Sequence, residues 1–261
     1  MGNLNSNSGK RILVVGPSWV GDMVMAQSLF KLLRHQQPSA HITVMAPAWS
    51  QALINRMPEI DVGIESPFDH GDLKLVERWR FGRQLSERFD TAYVLPNSFK
   101  SALVTYFARI PARIGWQGEY RNMLLTDCRK LDPSQYPLMV ERFMALALDR
   151  SAKLPAIDRP ALLTDSETAT TVAASLGVAR TERALALCPG AEFGDAKQWP
   201  LEHYAKLCDL AVESGWQVWI LGSPNDQEAG EQVVLAVSEP NRASCFDLTG
   251  KTNLDQAIDL L

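Results

Sequence analysis

Apolar residues along this chain fall into short runs. Between the runs, apolar positions recur every three or four residues. That alternation predicts strands and helices building parallel α/β sheets. RILVVG (11–16) reads as a buried first strand, followed by a helix over 22–35 with Met25, Leu29, Leu32 and Leu33 on one face. HITVMAP (41–47) is a second strand, and Pro58 stops the helix after it. VGIES (62–66) is a short strand, and 72–88 is a charged helix with Leu75, Trp79 and Leu85 available for packing. TAYVLPN (91–97) is a strand leading into a helix from Phe99 to Phe107. ARIGW and LLTDC read as short edge strands, and YPLMVERFMALALDR as a closing helix.

The segment 151–167 carries two prolines and few helix signals, so it reads as a linker. After a helix ending at LGV the alternation resumes, with strands at 184–190, 217–223 and 245–250 and helices at 201–214 and 226–237. The last residues, NLDQAIDLL, begin another helix. Residues 11–158 and 159–261 are the expected domains. A three-stranded second unit is either a small domain packed on the first or, since it would leave an apolar face and a bare strand edge, the front part of a longer chain, which is the preferred reading.

Composition narrows the function classes. The net charge of −4, from 26 basic and 30 acidic residues, gives no global attraction to nucleic acid, so an anionic ligand must be met by a local patch. Cys128, Cys188, Cys208 and Cys245 form no CxxC pair, so neither a metal site nor a disulfide framework is expected and a reduced cytosolic setting is the simplest reading. The start, MGNLNSNSGK (1–10), is polar and reads as a disordered leader without a signal-peptide core. No apolar run reaches the roughly 18 residues of a transmembrane helix.

The chemistry concentrates at the turns after the strands, where open α/β sheets bind ligands. GPSWVGD (16–22) has the glycines of a phosphate loop, yet Asp22 stands where such a loop needs Lys-Ser or Lys-Thr. A nucleotide-hydrolysing P-loop is therefore disfavoured. Two readings of Asp22 stand: a helix N-cap satisfying free N–H groups, or an ionised carboxylate able to take a proton from a hydroxyl. CPGAEFGDAKQWP (188–200) offers Lys197 as its only cation, suited to a diphosphate beside a helix start or else simply solvated. Glu192 in that loop suits sugar hydroxyls or is a surface acid, and Trp199 suits packing. In LGSPNDQEAG (221–230), Asp226 or Glu228 suits a ribose, against the ordinary reading of helix-start acids. In the first half, PNSFKSAL places Asn97, Ser98 and Lys100 at a strand end, and ARIGWQGEYR adds Arg113 and Arg121. With Arg78, Arg80 and Arg83 these form a candidate cationic cleft, although a charged, solvated helix face is the usual explanation for 78–83.

Taken in order, ILVVGPSWVGDMVMAQSL, VMAPAW, RMPEI, YVLPNSFKSAL, GWQGEYR, PLMVERF, CPGAEFGDAKQWP and GSPNDQEAG resemble the ADP-heptose:lipopolysaccharide heptosyltransferases, glycosyltransferase family 9. The resemblance runs from about Arg11 to the last residue. It implies an α/β GT-B fold of two Rossmann-like domains, the second incomplete here. The N-terminal domain would take the lipopolysaccharide core acceptor and the C-terminal domain ADP-heptose. The implied reaction is inverting, with no metal or cofactor in the assigned set. By the resemblance, Asp22 is the catalytic base and Lys197 contacts the donor diphosphate. Glu192, Asp226 and Thr252 fall on the donor side, with Thr249 to Thr252 near the adenine. Ser18, Asn97, Lys100, Arg113 and Arg121 fall on the acceptor side, facing an anionic inner core at the membrane surface. Family members carry a later Asp-Ser/Thr-Gly motif with a histidine, which this sequence does not reach. The alternative expectation is an inactive fragment that only binds acceptor or ADP. A cytoplasmic protein is implied, peripheral to the inner membrane, with neither a transmembrane segment nor a nucleic-acid partner.

Overall fold

Continuous burial along the strands explains the sheets. The computed structural model describes residues 9–68, 71–179, 183–191 and 197–261. Glu192 and residues 1–8 of the expected leader lie outside the described residues. Strand β1 (Arg11–Val15) is buried from Ile12 onward. Leu13 and Val15 join a core with Val94, Ala102, Leu103 and Leu125, while Ile12 and Val14 are equally buried on the alternate positions. Both faces are thus covered, as a parallel sheet requires.

Helix α1 (Val20–Gln36) follows β1, and β2 (His41–Ala46) pairs parallel with it. The short α2 (Gln51–Ile54), strand β3 (Val62–Glu65) and helix α3 (Leu75–Gln84) come next. Strand β4 (Thr91–Val94) returns to the other side of β1, and α4 (Phe99–Phe107) leads to β5 (Ala112–Trp116), β6 (Asp127–Arg129) and α5 (Met139–Ala145). The six parallel strands run β3-β2-β1-β4-β5-β6. This is the doubly wound order, in which the chain reverses direction across the sheet between β1 and β4. Contrary to expectation β5 is interior, because β6 pairs with its outer side. Helices α3 and α4 approach closely at Gly82, where an added Cβ would stand 2.7 Å from Phe107 Cβ and 2.8 Å from the Val104 carbonyl oxygen.

The expected linker holds no helix or strand before Ser166, but it is strapped to α1. Gln27 donates to the Ala161 carbonyl (2.9 Å) and accepts from its N–H (2.8 Å), and Ser28 donates to the Asp158 carbonyl (3.0 Å). These bonds satisfy two polar side chains buried in α1. The first compact unit ends at Leu163 and the second begins at Thr164.

In the second unit, α6 (Ser166–Ser175), β7 (Ala184–Leu187), α7 (Leu201–Glu213), β8 (Gln217–Ile220), α8 (Gln227–Ala236), α9 (Glu239–Arg242), β9 (Cys245–Asp247) and α10 (Leu254–Leu260) follow in turn. The three parallel strands run β7-β8-β9. Val218 and Ile220 of β8 pack with Leu187, Cys208 and Val233, whereas Trp219 and Leu221 pack with Val172, Ala173 and Leu260. The apolar face expected of a three-stranded sheet is therefore covered on both sides. Each unit is Rossmann-like α/β, as the two-domain expectation requires.

Candidate functional site

All strands of the first unit are parallel, so the turns after β1, β2, β4 and β5 share one rim. The switch between β1 and β4 places GPSWVGD beside PNSFK, and the Leu95 N–H donates to the Val15 carbonyl at that junction (3.1 Å). The Gly16 N–H donates to the Met45 carbonyl (2.8 Å), and a Cβ there would press only on the flexible end of Met23, 2.7 Å from its Cε. Nothing lies within 4 Å of a Cβ built on Gly21, so this side of the turn is open to a ligand.

The structure overturns the N-cap reading of Asp22. Extended Trp19 is the N-cap, α1 starts at Val20, and Asp22 is the third helical residue. Its carboxylate is half-buried and makes no hydrogen bond or ion pair among the described residues. Burial pushes its pKa above the usual carboxylate value, against the helix dipole, which favours the ion. An acid held so is a better proton acceptor than a solvated one.

The rest of the acceptor set divides. Ser18 is half-buried on the same turn, Asn97 is exposed and Lys100 sits half-buried in the first turn of α4. Arg121, expected to face an anionic acceptor, is instead fully enclosed. Its guanidinium donates to the Trp116 carbonyl (2.6 and 3.0 Å), the Pro96 carbonyl, Ser101 Oγ (3.1 Å) and Asn97 Oδ1 (3.1 Å). Desolvation holds its pKa down to about 10, which leaves it charged at neutral pH. It positions Asn97 and ties the turns after β4 and β5 together. Arg113 is also corrected. It lies at the amino end of β5, on the edge opposite the rim, and donates to the Leu124 (2.7 Å) and Ile110 (2.5 Å) carbonyls. Arg78 is a brace rather than a cleft cation, buried over the Phe68 ring at 4.0 Å and bonded to the Asp72, Leu73 and Lys100 carbonyls.

Four aromatic side chains on the rim escaped the reading of the sequence. Trp19, Trp49, Phe99 and Tyr120 are exposed on the turns after β1, β2, β4 and β5. Tyr120 is 96% exposed, and both it and Glu119 have positive φ. Glu119 accepts the Phe99 N–H (2.8 Å), which holds this strained turn against the start of α4. The available signal was position: each aromatic lies within five residues of a strand end.

The rim of the second unit is built differently. Asp226 is half-buried in the turn after β8, where its Oδ2 accepts from the Ser223 N–H and hydroxyl, both at 2.7 Å. A Cβ on Gly190 would stand 2.0 Å from Asp226 Oδ1, and one on Gly222 2.8 Å from its Cβ. The Asp226 carboxylate thus lies close against Gly190 of the turn after β7 while bonding within its own turn after β8. Glu228 is exposed and accepts from Gln232 (3.2 Å). Thr249 is buried with its hydroxyl on Asp247 (2.5 Å), and half-buried Thr252 lies just beyond it, ahead of α10. Lys197 is exposed ahead of α7. Close by, Trp199 stacks on His203 (5.3 Å between centroids) and meets Tyr204 edge-on, a packing role as expected. Among the described residues, no group of three or more His, Cys, Asp or Glu side chains could hold a metal ion, and no helix is long and apolar enough to cross a membrane.

Comparison with known proteins gives these rims a family. The model described as glycosyltransferase family 9 (heptosyltransferase) matches residues 78–261. Lipopolysaccharide heptosyltransferase 2 of Salmonella typhimurium is 48% identical over 258 residues, which is 96% of this chain and 74% of that protein. Lipooligosaccharide heptosyltransferase 2 of Haemophilus ducreyi is 44% identical over 260 residues, with the same two coverages of 96% and 74%. The solved structure of ADP-heptose lipopolysaccharide heptosyltransferase II from E. coli superposes with a TM-score of 0.86 at 45% identity, over 96% of this chain and 76% of that one. A Veillonella parvula family 9 glycosyltransferase structure, 19% identical with a TM-score of 0.81 over 96% of this chain and 72% of its own, shares the fold. By the extent of the family match and the identity to these relatives, the chain belongs to glycosyltransferase family 9, the heptosyltransferases.

Proposed function

We propose that the chain is a lipopolysaccharide heptosyltransferase of the second type, moving heptose from ADP-heptose to a heptose of the inner core. The observation that carries this reading is Asp22, a carboxylate without a partner among the described residues, set on the β1–β4 switch with its proton affinity raised by burial. In the reaction, an acceptor hydroxyl oxygen forms a bond to the anomeric carbon as the bond to the diphosphate oxygen breaks. The hydroxyl proton passes to the Asp22 carboxylate, ADP leaves, and the configuration inverts. No covalent intermediate on the protein is needed. Negative charge grows on the departing diphosphate, and Lys197 is the cation assigned to it. Asp226 and Thr252 serve the donor side, Asp226 through the oxygen not committed to Ser223.

Residues 11–158 would form the acceptor domain and 159–261 part of the donor domain. On the acceptor side, Ser18, Asn97 and Lys100 share the rim with Asp22. Lys100 suits a carboxylate or phosphate of the core, and the flat faces of Trp19, Trp49 and Phe99 offer rigid amphipathic surface to sugar rings. The acceptor is carried on a lipid, which places the work at the cytoplasmic face of the inner membrane.

Consumption of ADP-heptose in the presence of a heptose-bearing core acceptor tests the reading. Turnover is expected, and the carboxamide variant Asp22→Asn should lower it about 10²–10⁴-fold with ADP affinity retained. Binding of ADP or acceptor with no turnover by the parent chain would leave only a binding module. Near-parental turnover in Asp22→Asn would remove Asp22 as the base.

A further inference from the structure

Away from the carboxyl rim, the first unit carries an open cavity of about 400 Å³ lined by Trp79, Arg83, Tyr106, Phe107, Arg109 and Arg113. It lies toward the amino edge of the sheet, because it is lined from the later part of α3, the end of α4 and the start of β5. Its lining holds three arginines and no acid. Arg83 and Arg109 are exposed, and their guanidinium groups make no hydrogen bond or ion pair among the described residues. The Arg113 guanidinium is 5.7 Å from the Tyr106 ring centre and gives its Nε and Nη1 protons to main-chain carbonyls, so its charge meets no carboxylate.

The same helix presents apolar surface beside this charge. Leu75, Val76 and Trp79 of α3 are 49%, 54% and 50% exposed, and Tyr106 of α4 is 44% exposed. Residues 76 and 80, and 79 and 83, are neighbours four apart on one side of α3, so apolar and cationic groups share its outer face. Glu77 is the one acid in the helix sequence. Tryptophan, tyrosine and arginine beside exposed aliphatic side chains is the composition of a helix lying in a bilayer interface, with guanidinium groups reaching phosphates.

We propose that the outer face of α3, with the Arg83–Arg109–Arg113 cavity at its end, docks the protein on a bilayer rich in anionic phospholipid. Charge complementarity selects this occupant. A chain of net charge −4 is repelled overall by an anionic surface, so only a local uncompensated cluster such as this one can hold it there. The helix axis lies along the surface. Its first turn follows β3 and lies toward the carboxyl rim, so the rim opens beside the lipid rather than away from it. This deepens the reading of an enzyme with a lipid-borne acceptor, and its test does not depend on turnover.

Co-sedimentation of the chain with phosphatidylcholine vesicles, with and without phosphatidylglycerol, is the measurement. Binding is expected to the anionic vesicles and to weaken with salt. The double variant Arg83→Glu/Arg109→Asn should bind them at least about tenfold less, since each basic residue near an anionic surface contributes severalfold. Asn suits Arg109 because φ there is +55°, and an unchanged melting temperature would confirm that the variant folds. Trp79→Ser should weaken binding less, and Asp22→Asn should leave it intact. Turnover of a detergent-dispersed acceptor by the double variant should equal the parent's. Equal binding to both vesicle types, or parental binding by the double variant, would overturn the proposal. So would saturable uptake of inorganic phosphate, lost in Arg83→Glu, by a chain that ignores vesicles.

Discussion

Two rim acids, Asp22 and Asp226, stand after strands of similar parallel sheets, each close to the start of a helix. Their sequence settings are alike: a short apolar strand, a glycine-containing turn and an acid at a helix entrance. Their surroundings are opposite. Asp226 is committed, with one oxygen on Ser223 and the carboxylate set close against Gly190 and Gly222, where an added Cβ would force it to shift. Asp22 is uncommitted, with the N-cap position at Trp19 instead and open space at Gly21. A carboxylate whose lone pairs are used by the fold builds a turn, and one left without partners on a ligand-facing rim is available for chemistry. The difference lies in the partners and not in the residue type.

The sharpest way to break this comparison is to make the same substitution at both sites. Asp22→Asn should cost about 10²–10⁴-fold in kcat. Asp226→Asn should retain much of kcat, raise KM for ADP-heptose, and lose about 1 kcal/mol of stability in urea denaturation, the scale of a lost helix-start cap. A large fall in kcat with unchanged stability in Asp226→Asn would erase the distinction.

Arg121 sharpens the comparison from the scaffold side. Its five donated bonds hold the turns that flank Asp22, so Arg121→Met leaves buried carbonyls unsatisfied and should destabilise by about 3 kcal/mol. Because Asn97 loses its anchor, KM for the acceptor should rise in whatever fraction remains folded. Parental stability would show that the network is dispensable. A smaller effect is expected from Gly190→Ala. Its Cβ would meet the Asp226 carboxylate, so the turn after β7 must shift, with a loss of roughly 1 kcal/mol and weaker ADP binding measured by calorimetry. Unaltered ADP affinity would detach that turn from the donor site.

Much of the fold was legible in the sequence because strands of a parallel sheet are continuous apolar runs, and RILVV, HITVMA and QVWI carry that signal within themselves. The rim turns were legible for the same reason, since they follow where the runs stop. What was not legible depends on partners distant in sequence. Arg113 and Arg121 looked alike as cations in one motif, yet one sits at the amino end of β5 and the other is buried beyond its carboxyl end. No local pattern reports that eight-residue separation as opposite edges of a sheet. The bonds of Gln27 and Ser28 to a segment 130 or more residues away were invisible in the same way. The N-cap reading of Asp22 failed because α1 begins before Gly21, a residue that sequence rules place outside a helix.

The smallest expected effect bears most directly on why Asp22 is uncommitted. Its folded-state pKa is raised by burial. The native state therefore holds a proton that the unfolded state has released between the ordinary carboxyl value of 3.8 and the raised folded value, and stability falls as pH rises through that window. Above it, the ionised carboxylate is a standing cost to the fold. Asp22→Asn removes that charge without changing shape. It should be no less stable than the parent at pH 7, within the ~0.5 kcal/mol typical of a surface change, and should lose the parent's stability decline across that acid window. Thermal unfolding of both chains from pH 3.5 to 7 measures this. A variant clearly less stable at neutral pH would mean that Asp22 has a structural partner after all, and the two rim acids would then be the same kind of residue.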